Sequence, residues 1–215
     1  MSGTYSYCSN LTGSPVCGEK VTDMSGAYRI CEKLTGKPAC GNNVTSMHET
    51  YYSCYNMTGS PVCGDKVTNM SYAYYQCKSI TGSAACGPNV TNMSRAYEGC
   101  SNITVPVFGP SVTDVSYAYA NCRNIKIALC PDYLQSLSSV YENSGVVEAA
   151  CGNNVTDMYG VFYNCSNLTS LDVSGFDTSS VEEMDGMFSE CTGLTELDVS
   201  HFNKDNARSM DYMFS

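Results

Sequence analysis

The sequence contains no tryptophan, only 2 histidines and only 15% charged residues. Each scarcity closes off a class of function. His48 and His201 occupy unrelated positions and leave little material for acid–base or zinc chemistry. The 11 Lys and Arg are outnumbered by 21 Asp and Glu, giving a formal charge of −10. A nucleic-acid partner is excluded on that balance, because phosphates require clustered cations. No apolar run approaches the roughly 18 residues of a membrane span, so no membrane insertion is expected. Residues 1–13 lack the basic and apolar regions of a secretion leader. There is no C-x-x-C pair and no phosphate-cradling glycine loop ending in Lys-Ser or Lys-Thr. We therefore expect no cofactor, no metal and no enzymatic activity.

What the chain does have is repetition, together with 17 Tyr and 14 Cys. Units begin at Val21, Val44, Val67, Val90, Val112, Leu134, Val155, Val181 and Ala207, at steps of 21 to 26 residues. Counting each start as offset 0, offset 3 holds Met24, Met47, Met70, Met93, Val115, Leu137, Met158, Met184 and Met210. Offset 7 holds Tyr28, Tyr51, Tyr74, Tyr97, Tyr119, Tyr141, Phe162, Phe188 and Phe214. Offset 10 is Cys in every complete unit but one, which has Ser144. Offsets 0, 3, 7 and 10 share one face of a helix, and Thr22, Thr45 and their equivalents are placed to cap it. In the longer units Leu171 and Val173 alternate with Asp172 and Ser174, which is the period of a strand.

These patterns predict an α/β fold: a right-handed, leucine-rich-repeat-like solenoid with a short helix and a short parallel strand per 21–26-residue coil. One solenoid is expected over residues 1–215. Residues 1–154 form short Cys/Tyr-rich repeats, with 10 acids and 9 Lys and Arg; residues 155–215 form acidic 26-residue repeats, with 11 acids and 2 Lys and Arg. No polar cap is apparent and the last unit stops in mid-repeat. The expectation is a fragment, or ends covered by a partner or by self-association.

The cysteines form two ladders. One runs through Cys8, Cys31, Cys54, Cys77, Cys100, Cys122, Cys165 and Cys191, the other through Cys17, Cys40, Cys63, Cys86, Cys130 and Cys151. The ladders lose members independently, which favours buried free thiols over obligate disulfides and over metal binding. The acidic run Glu182, Glu183 and Asp185 reads as a solvated face rather than a calcium site. The sequons, such as Asn10-Leu-Thr and Asn43-Val-Thr, carry a ladder residue at their centre and follow from the repeat.

The stretch VTDMYGVFYNCSNLTSLDVSGFDTSSVEEMDGMFSECTGLTELDVSHFN resembles the 26-residue repeat of bacterial surface proteins, the BspA-like branch of leucine-rich repeats. Residues 1–154 look like a shorter cousin, with Ala-Tyr for Met-Phe and PVCG for LDVS; similar short repeats occur in gut-phage proteins. The resemblance implies a solenoid used in adhesion or recognition, at a bacterial surface or on a virion. It supplies no catalytic residues.

Residues at offsets 5 and 8 vary while the ladders beneath them persist. Among them Tyr52, Tyr72, Tyr75, Arg95 and Tyr117 form the candidate ligand-binding group. Outward Tyr and Arg suit a protein or glycan receptor, since Tyr supplies contact area at low entropic cost. The other readings are that Tyr coats the rod, with Arg95 merely pairing Glu98, or that the whole chain is a structural spacer.

Overall fold

The computed structural model describes residues 1–151, 154–171, 173–174 and 176–215; Asp172 and the Cys151 side chain, each invoked above, lie outside the described set. The ladders stack as expected. Tyr5, Tyr28, Tyr51, Tyr74, Tyr97, Tyr119, Tyr141, Phe162, Phe188 and Phe214 form one column, with neighbouring ring centroids 5.2–6.4 Å apart and nearly parallel. The Met, Cys and Leu/Ile ladders pack beside it in a single apolar core, in which Met47, Tyr74, Cys77 and Ile80 are all fully buried.

The expected helix is absent: no described residue is helical. The reason lies in the backbone. Offset 5 has a positive φ in all nine coils, between 50° and 60°, whether it holds Gly26, Glu49, Tyr72, Arg95, Tyr117, Ser139, Gly160, Gly186 or Tyr212. Offset 9 is positive too, at Ile30, Ser53, Gln76, Gly99, Asn121, Asn143, Asn164 and Glu190. A left-handed residue every four positions breaks a helix and leaves a chain of reverse turns. The Ala27 amide bonds the Met24 carbonyl at 2.9 Å, and the Cys31 amide bonds that of Tyr28 at 3.2 Å. The alternate amides point along the solenoid instead. Met24, Gly26, Tyr28 and Ile30 donate to Ser46, His48, Thr50 and Tyr52 of the next coil, at 2.7–3.0 Å. A side chain held left-handed costs about 1–2 kcal/mol. These coil-to-coil bonds offset that cost by satisfying the peptide groups of a segment packed on the core.

Offset 2 carries parallel bridges from coil to coil, including Asp23 to Ser46, Ser46 to Asn69 and Asn69 to Asn92. The named strands lie on the return segments. β1 (Gly82–Ser83) pairs in parallel with β2 (Ile103–Val105), and β3 (Ile127–Cys130) with β4 (Glu148–Cys151). The named strands among the described residues fall in the short coils, while the offset-2 bridges continue through the long ones at Asp157 to Glu183 and Glu183 to Ser209; no strand is present among the described residues of 169–174, where the alternation predicted one.

Each core tyrosine also fastens its own coil. The Tyr74 hydroxyl donates to the Val62 carbonyl at 2.7 Å and accepts from the Val62 amide at 3.0 Å. The same two-bond clasp, twelve residues back, joins Tyr28 to Val16, Tyr51 to Ala39, Tyr97 to Ala85 and Tyr119 to Val107. Where offset 7 becomes Phe188, the clasp has no hydroxyl, and Phe176 is buried in the core instead.

The first-ladder thiols are free and, apart from exposed Cys8, buried. Each buried one donates to the aromatic-ladder carbonyl of the coil before, among them Cys54 to Tyr28, Cys77 to Tyr51 and Cys100 to Tyr74, at 2.9–3.0 Å. Burial raises the pKa of the buried members, to about 12 at Cys54, and keeps them protonated and unreactive. The second ladder departs from expectation. Cys17, Cys40, Cys63 and Cys86 are only half-buried, because the return segment lies at the surface, and Cys130 is disulfide-bonded.

Candidate recognition face

The left-handed turns decide what points outward. The turn that sinks offsets 3, 7 and 10 into the core turns offsets 5 and 8 away from it, and from Val44 to Val112 the large side chains there reach the surface, whereas small or paired ones such as Ser139, Ala120 and Glu98 stay buried. All five sequence-predicted residues, Tyr52, Tyr72, Tyr75, Arg95 and Tyr117, sit on this face, each half-buried and outside the core cluster. The structure brings them into one contiguous group. Tyr52 and Tyr75 stack at 4.5 Å between centroids, and Tyr72 leans on both, at 6.2 and 5.7 Å. The Arg95 guanidinium lies 4.0 Å above the Tyr117 ring and 5.9 Å from that of Tyr72.

Sequence reasoning missed the group's continuation. Arg29 sits between the rings of Tyr7 and Tyr52, at 5.1 and 4.9 Å, hydrogen-bonds the Tyr7 hydroxyl and pairs with Glu49 at 3.0 Å. The face is thus two Tyr–Arg–Tyr sandwiches joined by a tyrosine stack, a stripe running from Tyr7 to Tyr117. Its guanidinium charges are already matched. Arg95 bonds Glu98 at 2.7 Å, so the local pairing is made and Arg95 does not hold all its donors free for a ligand. Burial pushes the Glu98 carboxyl upward, and Arg95 opposes that shift. The stripe offers flat aromatic area with fixed, neutralised cations rather than net charge.

Further along the same face the surface is concave. A groove of about 660 Å³ runs from Tyr117 to Tyr212. It opens because offset 5 shrinks to Ser139, Gly160 and Gly186 in three consecutive coils. The sequence signal was that run of small residues.

One pair has the look of catalytic chemistry. His48 Nδ1 lies 2.7 Å from the Ser71 hydroxyl. Ser71 is buried, however, and donates its proton to Asn69 Oδ1 at 2.7 Å. That leaves the imidazole N–H to donate to Ser71, the opposite of a general base poised on a nucleophile. Among the described residues no helix is long and apolar enough to cross a membrane.

Stacked short coils, parallel bridges and inward Met, Tyr and Cys ladders define a repeat solenoid. Residues 2–126 match the family model described as BspA type leucine rich repeat region, in 6 copies, and the chain belongs to that family. Residues 135–215 match a second model, described as Mycoplasma protein of unknown function, DUF285. Similar solved structures include two bacterial leucine-rich repeat proteins. A leucine-rich repeat protein from Bacteroides ovatus is 16% identical, with a TM-score of 0.49, over 93% of this chain and 69% of its own. A leucine rich cell surface protein from Faecalibacterium prausnitzii is 16% identical, with a TM-score of 0.35, over the same shares. No curated protein matches the chain.

Proposed function

We propose that this chain is a non-catalytic recognition module, displayed on a cell surface or a virion, that binds a protein or glycan receptor through the Tyr–Arg stripe. The observation that carries the reading is the backbone beneath the stripe. At offset 5 glycine serves in three coils, yet Tyr72, Arg95 and Tyr117 occupy the same left-handed conformation, at φ of 55–56°. Each costs about 1–2 kcal/mol that glycine avoids. None contributes to the buried core. Strain retained at the surface, in side chains that cluster with one another, accords with a role in contact.

A spacer needs length and solubility but no such cluster. The experiment that separates the two is the double variant Tyr72→Ala with Tyr75→Ala, measured against a glycan array and host cells. Binding is expected to fall at least tenfold, about 1.4 kcal/mol. The melting temperature should drop only slightly, since the pair loses ring stacking worth about 1 kcal/mol. Unchanged binding to every wild-type ligand would refute the stripe as the contact face, and no binding by the wild type would favour a spacer.

A further inference from the structure

The groove in the acidic coils has a composition of its own. The residues lining it include four tyrosines, Tyr117, Tyr159, Tyr163 and Tyr212, and four acids, Glu142, Asp185, Glu190 and Asp211, and no Lys, Arg or His. Tyr159, Tyr163 and Tyr212 are exposed, at 49%, 38% and 76%. None of the four acids takes part in an ion pair among the described residues; Arg208, a cation of these coils, is engaged by Glu182 at 2.9 Å. The carboxylates therefore face solvent uncompensated, beside aromatic rings, around a floor cleared of side chains. From Tyr117 to Tyr212 is four coil steps, roughly 20 Å at the spacing of paired strands, the length of about six extended residues.

We infer that this groove is a binding site for an extended, lysine- or arginine-rich peptide segment, distinct from the stripe. The carboxylates meet the cationic heads, and the tyrosine faces take the apolar stems and, where a head lies flat, its charge. Anionic ligands are repelled by the same four acids. The site does not depend on the stripe being a contact face. Its loss and the stripe's loss are separable, because the only side chain common to both is Tyr117.

The test is titration of the full chain with fluorescently labelled hexalysine at low salt. The deciding variant is Gly186→Tyr. A Cβ at position 186 would meet only the Ser189 Cβ within 4 Å, at 3.9 Å, and tyrosine already occupies this offset and this φ at Tyr72, Tyr117 and Tyr212. The variant fills the groove without changing net charge. Saturable one-to-one binding is expected for the wild type, weakened at least tenfold by Gly186→Tyr at an unchanged circular-dichroism spectrum. A matched pair of charge changes serves as the second arm: Glu190→Gln, inside the groove, should weaken binding several-fold more than Glu196→Gln, outside it. Hexalysine binding that is indifferent to Gly186→Tyr, or equally sensitive to both glutamates, would reduce the effect to the diffuse field of an acidic surface and overturn the site. So would saturable binding of a neutral hexasaccharide in place of hexalysine.

Discussion

Raising the pH from about 8 to about 11 should unfold this protein cooperatively, with most of the loss above the ordinary thiol pKa near 9. The cause is the core itself. Cys54, Cys77, Cys100, Cys122 and Cys165 are buried thiols whose pKa is raised, chiefly by desolvation. Tyr51, Tyr74, Tyr97, Tyr119 and Tyr141 are raised by the same burial. A group whose pKa is higher when folded binds its proton more tightly when folded. Its stabilisation is complete below the unfolded value and is lost as pH climbs toward the folded one. Each thiol thus gives up about 1.4 kcal/mol per pH unit above roughly 9, and the tyrosines join near 10. One unit above the thiol value Cys54, Cys77, Cys100 and Cys122 together lose about 5–6 kcal/mol, comparable to the whole stability of an ordinary domain. Thermal melts at half-unit pH steps check it. A melting temperature flat through pH 11 would mean that these groups are not buried.

Removing one ring from the column should be nearly as severe. Tyr97 is fully buried between Tyr74 and Tyr119, at 5.3 and 5.6 Å, and clasps Ala85 with two hydrogen bonds. Tyr97→Ala should cost about 3–5 kcal/mol, because a packed column cannot collapse around the void without moving both neighbouring coils. Tyr97→Phe keeps the ring but frees the Ala85 amide and carbonyl; it should cost about 1–2 kcal/mol, since Ala85 is half-buried and water can replace part of what is lost. Denaturant melts of the two variants give both numbers. Equal losses would show that the clasp, rather than the packing, holds the coil.

The ladders were legible because burial is periodic and the sequence repeats that period nine times. The helix was misread because offsets 0, 3, 7 and 10 describe one face of a helix and equally the inner side of successive reverse turns. The distinguishing signal was in the residues between them. Gly26, Gly160 and Gly186 recur at offset 5, and Gly99, Asn121, Asn143 and Asn164 at offset 9, the residue types that tolerate a left-handed backbone. The strand was sought in LDVS, where alternation is plainest, yet pairing occurs in segments such as Ile127–Cys130, whose register is set by neighbouring coils rather than by pattern. The five candidate residues share one face, as offset arithmetic predicts, since it carries over from helix to turn. Arg29, Glu49 and Tyr7 were missed because their contacts span adjacent coils. The groove is not legible in the acidic composition of residues 155–215 alone, because it takes the small residues Ser139, Gly160 and Gly186 in successive coils to open a floor between the acids.

The central claim, that the stripe is the contact face, is tested most directly by footprinting its tyrosines in the presence of a bound receptor. Hydroxyl-radical labelling is expected to fall at Tyr52, Tyr72, Tyr75 and Tyr117 when receptor is added, while Tyr55 and Tyr133, exposed at 36% and 46% away from the stripe's ring contacts, stay labelled. Protection of Tyr55 and Tyr133 with the four stripe tyrosines unchanged would contradict it.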